Sequence, residues 1–166
     1  MSFGPFDVRL VTERLRVLEL GDPSAAGNPD AQLRKVGVAA DYAAVKSLRD
    51  FPAPCVYVLL AREQFEPRAP TFGQRGQQVP GVQSGVVQIG VVLAARNYRE
   101  EGGAQLTDEF QALLGSLRSR LMGWVPDCPG AKPLQLVQGD LLQYDNATAL
   151  WCDVWMTKTN IGAEAQ

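Results

Sequence analysis

The chain has 166 residues and a formal charge of −2, and 46% of its residues are hydrophobic. That apolar share can build a core and excludes a disordered chain, while the near-neutral charge argues against broad phosphate binding, which needs a basic surface. Histidine is absent, which removes Ser-His-Asp and Cys-His nucleophile pairs and His-ligated zinc.

The start, Met1-Ser2-Phe3-Gly4-Pro5, lacks the basic and then apolar pattern of a secretory leader. No apolar run approaches the roughly 18 residues needed to cross a bilayer. The expectation is a soluble chain, intracellular when made and without membrane contact. Residues 6–19 read as an amphipathic helix, with Val8, Val11, Leu15 and Leu18 on one stripe and Gly21 and Pro23 stopping it. A turn-rich connector, residues 20–31, leads to a short strand at 32–38. Asp41 can cap a helix from Tyr42 to Leu48. Val56-Tyr57-Val58-Leu59-Leu60 is a strand by its β-branched and aromatic content.

Residues 62–81 show neither helical nor strand period and read as a long loop carrying Phe65, Arg68, Phe72 and Arg75. These residue types suit partner contact. Two readings stay open: an idle surface loop, or a segment that orders against another subunit or protein.

The longest strand spans 82–96. One face holds Val87, Ile89, Val91, Leu93 and Ala95; the other holds Val86, Gln88, Gly90, Val92 and Ala94, small or polar residues that permit close approach. A helix follows at 104–121, with Leu106, Phe110, Leu113, Leu117 and Leu121 stepping by three or four. Short strands at 134–137 and 141–144, separated by Gly139-Asp140, lead to a strand at 149–158. That last strand alternates Leu150, Cys152, Val154 and Met156 with Trp151, Asp153, Trp155 and Thr157. The Trp151 and Trp155 face is either packed beneath the helices or a subunit-contact surface.

This order of elements predicts one α+β domain over residues 1–166, with a mostly antiparallel sheet and two main helices on one face. The long loop at 62–81 and short flexible termini complete it.

Little of the chain points to chemistry. The acid pairs Glu100-Glu101 and Asp108-Glu109 sit at a helix start, where the dipole favours them. Gly73-Gln74-Arg75-Gly76 lacks the Lys-Ser/Thr of a phosphate loop. Arg96-Asn97-Tyr98-Arg99 reads as a solvated strand end or a nucleic-acid contact. Cys55, Cys128 and Cys152 have no C-x-x-C spacing and read as reduced, small core residues, as in a reducing compartment.

The second half of the chain resembles a known family in the order of its segments. These are the strand ending Arg96-Asn97-Tyr98-Arg99, the Leu-striped helix running into Leu121-Met122-Gly123-Trp124-Val125-Pro126, and Pro133-Leu134-Gln135-Leu136. Gly139-Asp140-Leu141-Leu142 and Leu150-Trp151-Cys152-Asp153-Val154-Trp155-Met156-Thr157 complete the series. It is similar to the tail terminator, or tail-completion, proteins of long-tailed bacteriophages, especially Mu-like siphophages. The resemblance implies a structural virion protein at the head-proximal end of the tail, assembled in the host cytoplasm. It implies a ring of six copies that caps the tail tube, stops addition of tube protein and meets the head–tail connector. DNA would cross the lumen without sequence-specific contact. The resemblance implies no catalytic residue, metal or cofactor, and the chain is expected not to be an enzyme. On this reading Phe65, Arg68, Phe72, Arg75, Trp151 and Trp155 are candidates for subunit or tube contact. A different head–tail joining or tube subunit is an alternative. So is a small-molecule-binding α+β domain, whose sign would be a pocket holding a buried carboxylate beside an arginine or lysine.

Overall fold

The computed structural model describes residues 4–67, 75–76, 81–96, 107–145 and 147–162. Helix α1, Arg9–Leu15, tightens into a 3₁₀ turn at Arg16–Leu18. Strand β1, Lys35–Val38, runs directly into the short helix α2, Ala39–Ala44. Strands β2, Cys55–Phe65, and β3, Val82–Arg96, precede helix α3, Asp108–Leu121. Strands β4, Gln135–Tyr144, and β5, Thr148–Gly162, follow. The five strands form one sheet ordered β1-β2-β3-β5-β4, in which β1 and β2 are parallel and every other pair is antiparallel. The fold is α+β.

Its spine is the ladder between β3 and β5, which runs unbroken from Val82 opposite Gly162 to Arg96 opposite Thr148. Alternation along both strands sends their odd-numbered residues to one face. There Val87, Ile89, Val91 and Leu93 meet Val11, Leu15 and Leu18 of the first helical segment and Phe110, Leu113, Leu117 and Leu121 of α3 in the main core. Within the described residues both helical stripes are those the spacing predicts, while Leu106 and the expected helix start at 104 lie outside them. Each such fully buried side chain contributes roughly 1.5–3 kcal/mol of transfer free energy. Helix α3 starts where the Thr107 hydroxyl accepts the Phe110 backbone N–H at 3.3 Å. Asp108 and Glu109 occupy its first turn, with Arg118 and Arg120 in its last, as the helix dipole favours.

Three expectations need correction. Arg62–Phe65 is strand, because β2 continues past a bulge near Ala61 and pairs with β3 as far as Phe65 opposite Gly85. The two short strands expected at 134–144 are the single strand β4, with bulges at Val137 and Leu142 and no turn at Gly139-Asp140. The short helix at Asp41 begins at Ala39, and it lies on the sheet face opposite α1 and α3, with Tyr42 packed against the Phe51 and Tyr57 cluster.

Candidate functional site

Among the described residues, the features of interest are the sheet faces, the β2–β3 hairpin and the sheet edges. The tryptophan face is closed. Trp155 is 1% exposed in the main core and stands opposite Ile89 on β3 and Leu136 on β4. Trp151 packs edge-on against Phe110 of α3, with ring centres 6.0 Å apart. Between them Asp153, 3% exposed, receives both arms of the Arg118 guanidinium at 2.8 Å and the Trp151 indole N–H at 2.8 Å. Of the two alternatives for this face, packing within the subunit describes Trp155, while Trp151 stays partly exposed beside α3. Helix α3 covers that face within one subunit, and Trp155 in particular is core.

The Arg118–Asp153 pair is a buried carboxylate beside an arginine, closed in from the β4 side. Gly139 on β4 sits opposite Asp153, and a Cβ added there would lie 2.7 Å from Asp153 Oδ1, 2.9 Å from the Trp151 ring and 3.0 Å from Arg118 Nη2. The space is filled, so the pair is a structural clamp. Its visible sign in the sequence was an acid alternating with two tryptophans on an apolar face, which requires a buried cation or donor.

The other face is half covered. Phe51, Ala53, Cys55, Tyr57, Val92, Ala94 and Leu150 form a second cluster. In it the rings of Tyr42, Phe51 and Tyr57 lie 5.7–5.9 Å apart. Burial pushes the Cys55 thiol up to about 11 and raises the Tyr57 hydroxyl as well. Further along the same face lie Leu59, Val86, Gln88, Cys152, Val154 and Met156, all partly exposed. Among the described residues no helix covers this half. A shallow groove of about 340 Å³ runs along its margin between Val86, Pro133, Gln135 and Met156, flanked by Lys132 and Lys158.

The β2–β3 hairpin extends beyond β1, whose four residues pair only with Cys55–Val58. Phe65 lies against Gly85, where an added Cβ would strike its ring. The strand ends are tied by the Gln83 side-chain amide, which donates to the Glu66 carbonyl at 2.6 Å. Glu63 accepts the Phe6 backbone N–H at 3.1 Å. Of the other loop candidates, Arg75 is an exposed turn residue beside Gly76, whose φ is +86°. Arg68 and Phe72 lie outside the described residues, as do Asn97–Glu101. At the opposite edge of the sheet, the bulged Val137 and Leu142 are 46% and 52% exposed.

The family model for the phage tail terminator protein matches residues 1–165. The chain belongs to the phage tail terminator family. No curated protein matches it. The terminator is thus a virion component with a structural role in tail completion, a role that brings it into contact with other head or tail parts. No helix among the described residues is long and apolar enough to cross a membrane. Segment order in the chain carries the family likeness, whereas the half-open sheet face depends on where the covering helices lie.

Proposed function

We propose that this terminator forms a ring of six copies at the head-proximal end of the tail tube of a Mu-like siphophage. There it stops addition of tube protein and presents its far surface to the head–tail connector. The carrying observation is the uneven cover of the sheet. One face is sealed by α1 and α3, while the far half of the other is apolar and open along Leu59, Val86, Val154 and Met156. A closed ring needs two different sticky patches on each subunit, related by a rotation that closes. The open half-face and the segment between β2 and β3, with Arg68, Phe72 and Arg75 in its sequence, are the two patches this reading assigns.

Capping also needs a surface that binds the last tube ring without templating the next. The bulges at Val137 and Leu142 interrupt the free edge of β4, a device that discourages further strand addition. On this reading the protein works by fit alone. It catalyses nothing, and DNA crosses the lumen without base-specific contact.

The test mixes the purified chain with its tail tube protein and follows light scattering and negative-stain images. The expected result is a particle of about six times 18.0 kDa seated singly on tube ends. Rings stacking into long filaments would mark a tube subunit instead, and a monomer that leaves tube length unchanged would overturn the proposal. Alanine at Arg68, Phe72 and Arg75 together should leave the subunit folded and reduce capping. Unchanged capping would remove these three residues from the contact.

A further inference from the structure

At the C-terminal ends of α1 and α3 two arginines, Arg14 and Arg120, come together, and among the described residues neither is paired with an acid. Arg14 Nε donates to the backbone carbonyl of Arg120 at 3.1 Å, and the Arg14 guanidinium carbon lies 5.5 Å from the centre of the Trp124 ring. Arg120 Nε is buried with no hydrogen-bond partner. Among the described residues the ion pairs engage Arg9, Arg16, Lys35 and Arg118, and neither Arg14 nor Arg120 has one. Burial and then the charge of Arg120 push the Arg14 pKa down. A helix dipole accounts for one cation at a last turn. It does not account for a second guanidinium stacked on a tryptophan, beside Met122 and Val125 that are 54% and 49% exposed. Arg, Trp and Met are the residue types that anchor protein interfaces.

The opposite end of the same helix carries the complementary charge. Asp108 and Glu109 are exposed in the first turn of α3, and among the described residues neither forms a salt bridge. The two ends are separated by a helix of 14 residues, about 21 Å of rise. One chain thus presents a basic, aromatic patch and an acidic patch at fixed separation, as a head-to-tail contact requires.

We propose that the Arg14–Arg120–Trp124 patch of one copy docks on Asp108 and Glu109 of a second copy, making the α3 ends the charged seam of the assembly. The inference rests on the ring reading above and adds a charged contact to the half-face and hairpin patches assigned there. Phosphate groups of a nucleic acid would satisfy the same guanidinium groups but would leave Met122 and Val125 uncovered, which favours a protein partner.

The test uses the full chain with two double variants, Arg14→Glu with Arg120→Glu, and Asp108→Lys with Glu109→Lys. Each is checked for folding by circular dichroism, then for assembly by sedimentation alone and on tail tubes. Each variant alone should need about tenfold or more higher concentration to assemble. A one-to-one mixture should regain assembly, because alternating copies then meet in turn through one native contact and one charge-reversed contact, both complementary. The acidic-end variant alters only exposed side chains and carries the test even if the arginine variant fails to fold. If wild type forms rings and the acidic-end variant does so equally well, the contact is wrong and the ring reading stands. A mixture of folded variants that fails to recover overturns the pairing. Should the arginine variant lose retention on duplex DNA while assembling normally, the patch belongs to nucleic acid and the proposal falls. If wild type neither forms rings nor caps tubes, the ring reading fails and takes the contact with it.

Discussion

The two faces of the sheet differ in what completes them. On the first face α1 and α3 seal the odd-numbered residues of β3 and β5, down to a carboxylate neutralised by Arg118. On the second face a six-residue helix and a few aromatics cover only the end near Val92, Ala94 and Leu150. The first face is finished by its own chain and accounts for folding. The second is left unfinished and, in a protein of the tail terminator family, marks where assembly is to be sought.

Neighbouring residues on β5 put that contrast to its strongest test. Trp155→Ala removes a side chain that is 1% exposed, and the cavity should cost about 3–5 kcal/mol by denaturant unfolding. Met156→Ala, one residue on and facing the open half, should cost about 1 kcal/mol or less in the isolated subunit while weakening assembly. Equal losses of stability at both positions would show that the open half is packed in solution.

The next effect comes from the clamp. Arg118→Ala strands the Asp153 carboxylate in the core and should cost about 3 kcal/mol, the lower end for a broken buried pair, since the Arg118 side chain is itself 35% exposed. Replacing both partners, Arg118→Met with Asp153→Leu, should cost less than the single change, because no charge is then left unpaired. A thermal melt of the two variants decides whether the closed face depends on charge or on shape.

How far these faces could be read from the sequence depends on whether each signal was local. The α3 stripe and the bounds of β3 follow from a single unbroken period, 3.6 in one case and 2 in the other. Strand β4 was obscured for two local reasons. The bulges at Val137 and Leu142 reset the alternation, and Gly139 mimics a turn residue although its role is to make room for Asp153. The parallel pairing of the four-residue β1 leaves no periodic trace. That Trp151 and Trp155 lie under α3 rather than in solvent is a tertiary fact. Alternation showed that they share a face and could not say what covers it. The Arg14–Arg120 patch brings together positions 106 residues apart in sequence, beyond any local pattern.

A smaller effect concerns the partial cover on the second face. Asp41, in the first turn of α2, accepts the Val38 backbone N–H at 3.0 Å and the Lys35 ammonium at 3.1 Å. These bonds, the backbone one first, hold its carboxyl below the ordinary 3.8. A group depressed in the folded state stabilises above its unfolded value and loses that contribution as pH falls through its folded value. The anchor of α2 should therefore persist at pH 4 and fail below it. Exchange of the Val38 amide, followed from pH 5 to pH 2, should accelerate over that lower range while amides of α3 remain protected. Simultaneous loss at both sites would mean that the cover and the closed face unfold as one unit.

The smallest effect reads the border between the covered and open halves through two thiols. Cys55 lies in the covered half and is 0% exposed, and its thiol is pushed up to about 11 by burial. The thiolate is the reactive form, so at pH 8 its population is about a thousandth, and access is closed as well. Cys152, beside Gly90 on the same face, is also raised by burial, but it is only partly covered and adjoins the open stripe of Val154 and Met156. Alkylation of the folded subunit should therefore reach Cys152 well before Cys55, with mass spectrometry of the peptides giving the order. If assembly covers the open half, Cys152 should slow in the ring while Cys55 stays as it was. A Cys152 rate indifferent to assembly would move the contact off this face and onto the α3 ends or the hairpin.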